Sequence, residues 1–128
     1  MSEIDAMVEK IKKRGFLDNE VLKDSEMFAN NFKTISNSKM RQYFDVVKNI
    51  GNLIEMNPKV ESIIVKLHIL RSKIYYDAKR DQKIEVFRYF ISKVIDFLNE
   101  GRDLSKVKDF TIYFENLYGY FYAVSSGR

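Results

Sequence analysis

The chain has 128 residues and contains no cysteine, one histidine and one proline. Without cysteine there is no disulfide framework, no thiolate zinc site and no thiol nucleophile, and this composition suits a reducing compartment. A single histidine removes most pairs of a nucleophile and its base. No carboxylate cluster has metal-ligand spacing, and no glycine-rich loop could cradle a phosphate. We therefore expect a protein that is not an enzyme and uses no metal, cofactor or small-molecule substrate.

Long apolar runs are also missing. No stretch approaches the roughly 18 apolar residues of a membrane-spanning helix. The first residues, MSEIDAMVEKIKKRG, have early acidic side chains and lack the apolar segment of a signal peptide. The sequence therefore predicts a cytoplasmic protein without a membrane partner.

Helical periodicity dominates what the chain does contain. Five glycines and one proline leave room for long helices with short connections. Apolar residues at spacings of three and four predict helices at about residues 3–14, 36–57, 59–78, 81–101 and 105–124. Residues 16–35 give a weaker pattern, a helical turn or two with Met27, Phe28 and Phe32 facing inward. Because no segment alternates as a strand does, we predict an all-α fold, a single compact bundle of about five helices over residues 1–128.

Basic side chains form a row on the helix that follows Pro58. Lysine and arginine outnumber the acids by 22 to 18, which is compatible with nucleic acid as a partner. Lys66, Lys73 and Arg80 are seven residues apart and share one side stripe, at intervals of roughly 10 Å. Such a row can follow a sugar–phosphate backbone. Spacing alone favours a solvated face in which Asp77 pairs with Lys73 or Arg80, and it leaves both interpretations open.

Other polar side chains lie at unusual positions on the same helix and on the helix before it. Arg41 and Lys48 share a polar stripe, and Lys39 lies in a first turn, where the helix dipole disfavours a cation. Arg71 projects near the centre of an apolar stripe, so it forms a buried ion pair or marks an opening in the bundle. His68, on the flank of that stripe, is expected to be a partly buried structural residue.

Some apolar side chains point away from the predicted core. Val65, Ile69 and Tyr76 lie at the back of their helix, so either the helix is sandwiched within the bundle or it offers a second apolar surface to a partner subunit. The last helix has tyrosines outside its inward stripe, which need other neighbours in the core or in a subunit interface rather than in base stacking. These tyrosines are Tyr113, Tyr118, Tyr120 and Tyr122.

Three stretches, in order, resemble the small all-helical subunit of type III-A CRISPR (Csm) interference complexes. The first stretch is FANNFKTISNSKMRQYFDVVKNI. It is similar to a family pattern in which Ser or Thr, then Lys or Gln, an apolar residue and Arg begin a long helix. Lys39 and Arg41 fall on the basic positions of that pattern. LRSKIYYDAKR is similar to a basic–Pro–Lys–Leu–Ala–Tyr segment that ends in Ala–Gly–Arg. FTIYFENLYGYFYA resembles a C-terminal helix with a Phe–Glu–Ala core and a Tyr-rich end. The residues that match the last two patterns are Arg71, Lys73, Tyr75, Arg80, Phe114, Glu115 and Tyr120.

The resemblance covers residues 28–122 and leaves residues 1–25, an N-terminal helix and connector, unmatched. The sequence departs from the family pattern at three positions. Ser72 stands where the family often has Pro, Lys79 where it often has Gly, and Phe121 near the place of a C-terminal His.

The resemblance implies a non-catalytic subunit whose copies stack inside the complex, beside the subunits that hold the guide RNA. Its partners would be guide RNA, target RNA and other Csm subunits, including adjacent copies of itself. Contacts would fall on the guide–target duplex, mainly on the target RNA backbone, without sequence preference. Motif and spacing agree on four RNA-binding residues: Lys39, Arg41, Lys73 and Arg80.

Further site residues are predicted from a single kind of observation. Position alone adds Lys48, Lys66 and Lys79, whereas Arg71 matches the motif at an angle that suits a structural role equally. The subunit interface is expected at Val65, Ile69, Tyr76, Tyr118 and Tyr120. The alternative function is a helical adaptor or assembly protein without direct nucleic-acid binding. A small DNA-binding regulator would need a helix-turn-helix pattern, which the sequence does not contain.

Overall fold

The computed structural model describes residues 2–125, which form six α-helices and no strand. The helices are α1 Ser2–Arg14, α2 Asn19–Phe28, α3 Asn37–Ile54, α4 Val60–Arg80, α5 Glu85–Gly101 and α6 Leu104–Val124. Short 3-10 helices, Ala29–Phe32 and Gln82–Ile84, follow α2 and α4. The predicted all-α class is confirmed, with six helices where about five were predicted.

The additional helix is α2, in the segment where the sequence pattern is weakest. Asp18 caps it, because its carboxylate accepts hydrogen bonds from the backbone amides of Glu20 and Val21 at 3.0 and 3.2 Å. Ser25 is buried on the inward face, where its hydroxyl accepts a 2.7 Å hydrogen bond from the side-chain amide of Asn116 on α6. This polar residue interrupts the apolar periodicity, which explains why the sequence predicted only a turn or two.

The expectation that Met27 faces inward is wrong, since its side chain is 74% exposed. Phe28 and Phe32 are buried as predicted. Val21 and Phe28 define the buried stripe of α2. One residue of helix rotates the side chain by about 100°, which carries Met27 off that stripe.

Aromatic rings fill much of the core. Phe32 meets Phe87 edge to face with ring centroids 5.3 Å apart, and Phe87 stacks on Tyr43 at 5.5 Å. Tyr113, which was expected to lie outside the inward stripe, is fully buried beside Phe16. The connector between α1 and α2, which carries Phe16, covers this side of α6, so Tyr113 has a neighbour in the core, one of the two environments predicted for it.

Helix α4 lies at the edge of the described bundle. It packs chiefly against α5 and α3, whereas α6 packs against α3 and α2. Val65, Ile69 and Tyr76 are 54%, 63% and 59% exposed on its outer side. Within residues 2–125, therefore, α4 is not sandwiched between other helices, and its back forms a second apolar surface.

Candidate nucleic-acid interface

Two of the predicted RNA-binding lysines meet at one buried carboxylate between α3 and α4. Ser36 caps α3 by accepting a 3.1 Å hydrogen bond from the backbone amide of Lys39, which places that lysine in the first turn. Asp77 is buried one turn before the end of α4. The Lys39 Nζ lies 3.5 Å from Oδ2 of Asp77, and the Lys73 Nζ donates to Oδ1 at 3.1 Å. The fold thus brings together cations that lie on different helices.

The same carboxylate accepts a third hydrogen bond. The hydroxyl of Tyr43 donates to Oδ2 of Asp77 at 2.6 Å. Burial acts to raise the pKa of Asp77, but the hydrogen bonds from Tyr43 and Lys73 and the charge of Lys39 outweigh it and hold that pKa below its ordinary value. Burial, followed by the bond to Asp77, raises the pKa of Tyr43, so the phenol remains a donor. Asp77 is therefore a charged acceptor beneath two lysines.

The rest of the predicted basic row faces solvent. Arg80 lies with its guanidinium carbon 5.7 Å from the ring centroid of Tyr76, and the Lys73 Nζ is 5.9 Å from the same centroid. Of the two pairings proposed for Asp77, only that with Lys73 forms. Lys66, which precedes Lys73 in the row, is exposed. Neither Lys66 nor Arg80 has a carboxylate partner among the residues that the structure describes.

The α3 cations lie beside an aromatic pair. Arg41 is exposed, 3.4 Å from a carboxylate oxygen of Asp45, and the adjacent Tyr118 hydroxyl, followed by Asp45, raises the pKa of its guanidinium. The Lys48 Nζ lies 5.8 Å from the ring centroid of Phe44. Phe44 in turn stacks on Tyr118 at 4.5 Å with the ring planes 9° apart. Tyr118 therefore has an aromatic neighbour within its own chain and is only half-buried.

Arg71 forms contacts that favour a structural role. Its Nη1 donates to Oδ1 of Asp96 at 2.6 Å and to the backbone carbonyl of Ser92 at 3.2 Å, which ties α4 to α5. Its Nη2 lies 3.2 Å from Nδ1 of His68. The expectation that His68 is partly buried is wrong: it is exposed, because Arg71 rather than the core is its neighbour. A partly buried ion pair accounts for the inward angle of Arg71.

Lys79 lies on the other flank of α4. It lines an open cavity between α4 and the start of α5, together with Tyr75 and Arg88. Arg88 forms two hydrogen bonds with Glu85, at 2.8 and 2.6 Å, and its guanidinium carbon lies 4.8 Å from the ring centroid of Tyr75. Glu85 therefore neutralises Arg88, whereas Lys79 has no carboxylate within ion-pair distance in the described part of the chain.

An apolar groove runs beside the basic row, between α3 and α4. We name it the α3–α4 groove; its cavity is about 330 Å³. It is lined by Gln42, Tyr43, Val46, Ile69, Leu70 and Lys73. The predicted interface residue Ile69 lies in it, and Val65 and Tyr76 continue the exposed apolar surface along α4. The sequence did not predict Val46 as part of this surface, because Val46 directly precedes the buried Val47. Its side chain is 42% exposed.

The remaining predicted interface residue is Tyr120, which is half-buried against the core. In residues 2–125, no group of three or more His, Asp or Glu side chains is arranged to hold a metal ion. The helices described here include none with the length and apolar character needed to cross a membrane.

Over residues 2–125 the chain is a small all-helical protein that carries a basic row beside an apolar groove. The family model Csm2 Type III-A matches residues 17–125. The chain therefore belongs to this family, and it is a small subunit of the type III-A CRISPR Csm complex, as its sequence motifs predicted. The matched range takes in α2 and begins after α1. No curated protein and no solved structure is significantly similar to the chain.

Proposed function

We propose that this subunit contacts the RNA backbone of the guide–target duplex, mainly on the target strand, through the exposed cations of α3 and α4. It reads no sequence and has no catalytic role, and it acts in the cytoplasm. The observation that carries the proposal is the row Lys66, Lys73 and Arg80, joined by Lys39 from α3 at Asp77. Exposed ammonium and guanidinium groups with this spacing suit phosphates, which they bind by displacing counterions.

The second part of the proposal concerns the exposed apolar surface of α4, which adjoins the α3–α4 groove. Val65, Ile69 and Tyr76 expose apolar surface directly beside the basic row. A subunit of a multi-protein complex must bury such surface against a neighbour, and exposed patches of this kind mark interaction sites. We therefore assign this surface to a neighbouring Csm subunit, a second copy of this chain included. The predicted contacts of Tyr118 and Tyr120 belong to the same proposal.

Charge reversal of the outer row tests the RNA contact. Lys66→Glu with Arg80→Glu removes two cations that have no carboxylate partner in the described chain, so the change leaves the Asp77 ion pairs intact. The matched control reverses two exposed lysines on α1 and α2, Lys13→Glu with Lys23→Glu. Both variants change the net charge equally, and each is titrated with a short RNA duplex at several salt concentrations.

The row variant should bind RNA about tenfold or more weakly, with a slope of log affinity against log salt that is shallower by about two. The control should change the affinity much less. Equal losses in the two variants would mean that only net charge matters, and the assignment of the row would be wrong.

The exposed groove also supports the alternative, a helical adaptor that does not bind RNA. On that account, neither charge-reversal variant would change RNA binding, and the wild-type chain would bind RNA no better than a neutral protein. Loss of subunit association on substitution of Ile69 would then be the only functional effect.

A further inference from the structure

The carboxylate of Asp77 is held in place by several contacts beneath the basic row. Its side chain is only 5% exposed, yet three groups from two helices converge on it. Exposed ion pairs are loose, because two flexible side chains meet in water. Here the acceptor is fixed by burial, and Tyr43 holds it from beneath while stacking on Phe87 in the core. The positions of the two lysine ammonium groups are therefore tied to the core.

The two ammonium groups keep unused donors. Each lysine carries three N–H groups, and one of them faces Asp77. The side chains of Lys39 and Lys73 are 28% and 46% exposed, so the remaining donors are accessible from solvent. Two cations and one carboxylate leave a net charge of about one positive unit, which suits a singly charged phosphodiester. Lys73 also belongs to the outer row, so a phosphate at this point would continue the path of the backbone.

We propose that Asp77 is a positioning residue: its buried carboxylate holds the ammonium groups of Lys39 and Lys73 together as one two-lysine site for a phosphate group of RNA. This inference rests on the proposed function. An acidic residue then supports the binding of a polyanion. A simple count of charges gives the opposite result, since removal of Asp77 makes the surface more positive.

The substitution Asp77→Asn separates the two accounts. Asparagine has nearly the same shape and can still bond to Tyr43, but it releases the lysines and adds one positive charge. The full-length chain is titrated with a short RNA duplex as the wild type, as Asp77→Asn, as Lys39→Met with Lys73→Met, and as the triple variant. Circular dichroism and urea unfolding establish that each chain is folded under the binding conditions.

We expect Asp77→Asn to weaken RNA binding by about threefold to tenfold and to make the salt dependence shallower. In the background without the two lysines, the same substitution should have no further effect, because it acts only through them. Tighter or unchanged binding by Asp77→Asn would overturn the inference, and so would an equal loss in both backgrounds. A purely structural role moves the unfolding midpoint but not the salt dependence of binding.

A measurement on the wild type covers the case in which Asp77→Asn fails to fold. Lysine side-chain Nζ and Cε resonances are followed by NMR while the same RNA duplex is added, with assignments from single Lys→Arg variants. The resonances of Lys39 and Lys73 should shift together, at the same RNA concentration. If the Lys66 resonances shift while those two do not, the two-lysine site is wrong and the proposed RNA contact stands. If no RNA binding is detected with any chain, both proposals fail.

Discussion

The hydroxyl of Tyr43 donates a 2.6 Å hydrogen bond to Oδ2 of Asp77, and this bond joins the middle of α3 to the last turns of α4. Tyr43 reaches the carboxylate from the core, where its ring stacks on Phe87. Lys39 and Lys73 reach it from the surface. The buried carboxylate thus connects the packing of the bundle to the basic face.

Removal of this hydroxyl should destabilise the fold. Tyr43→Phe leaves the ring in place but takes one donor from a buried charged acceptor, and such a loss costs about 1–3 kcal/mol. We expect the free energy of unfolding in urea to fall by that amount. Tyr122→Phe is the matched control, because Tyr122 is 63% exposed and should lose almost nothing. Equal stability of the two variants would show that the bond contributes nothing to folding.

The stability of the chain should depend on pH through Asp77. Its pKa is held below the ordinary value in the folded state, so its stabilising contribution is complete above the unfolded-state pKa of about 4 and disappears as the pH falls through the folded pKa. The difference in unfolding free energy between wild type and Asp77→Asn should therefore be largest near neutral pH. It should shrink as the pH falls below about 5 and through the folded pKa. A difference that stays constant over this range would mean that the ionised carboxylate is not the stabilising form.

The contact of α3 with α6 depends on a glycine. A Cβ added at Gly51 would lie 2.8 Å from Oγ1 and 3.2 Å from Cβ of Thr111. Thr111 cannot easily move, since it is buried and its hydroxyl donates to the backbone carbonyl of Lys108 at 2.7 Å. Gly51→Ala should therefore destabilise the chain by about 1–3 kcal/mol in urea, despite the better helix propensity of alanine.

Two controls accompany this prediction. A Cβ at Gly119 on α6 would meet nothing within 4 Å, so Gly119→Ala should stabilise the chain by about 0.5–1 kcal/mol. Adding Thr111→Ala to Gly51→Ala removes the 2.8 Å contact with Oγ1 but keeps the 3.2 Å contact with Cβ, so it should recover part of the loss. The account of this contact is wrong if Gly51→Ala is as stable as Gly119→Ala.

The apolar back of α4 should matter for assembly and not for folding. Ile69 is 63% exposed, so Ile69→Ser should change the free energy of unfolding by less than about 0.5 kcal/mol. Its incorporation into the reconstituted Csm complex should fall, as measured by co-purification with the other subunits. Ile112→Ser, at an exposed position on α6, is the comparison and should assemble as the wild type does. Normal assembly of Ile69→Ser would remove this surface from the interface.

The long helices were predictable from the sequence because their apolar stripes are regular and their boundaries are marked. Met40, Tyr43, Val47 and Ile50 repeat at helical spacing and are all buried. Helix α2 was not fully predicted, because the buried Ser25 interrupts its stripe. The Ser25 hydroxyl donates to the backbone carbonyl of Leu22 and accepts a hydrogen bond from the side chain of Asn116 on α6. Local periodicity contains no information about such a tertiary hydrogen bond.

The candidate site was predictable in part, because regular spacing on a helix also fixes which side chains share a face. Spacing placed Lys66, Lys73 and Arg80 on one solvent-facing row, as the structure has them. Spacing could not place Lys39 beside Asp77, since that contact depends on how α3 crosses α4. An aspartate among cations is expected to lie on the surface, and only the packed fold shows that Asp77 is buried.

We propose that this subunit contacts RNA through the basic face of α3 and α4. Ultraviolet crosslinking of the assembled Csm complex bound to target RNA, followed by mass spectrometry of the crosslinked peptides, tests it most directly. We expect crosslinks in the peptides that contain Lys39, Arg41, Lys73 and Arg80, and a lower crosslink yield at these peptides in a complex built with Lys66→Glu and Arg80→Glu. Crosslinks confined to α1 and α5, or none to this subunit, would contradict it.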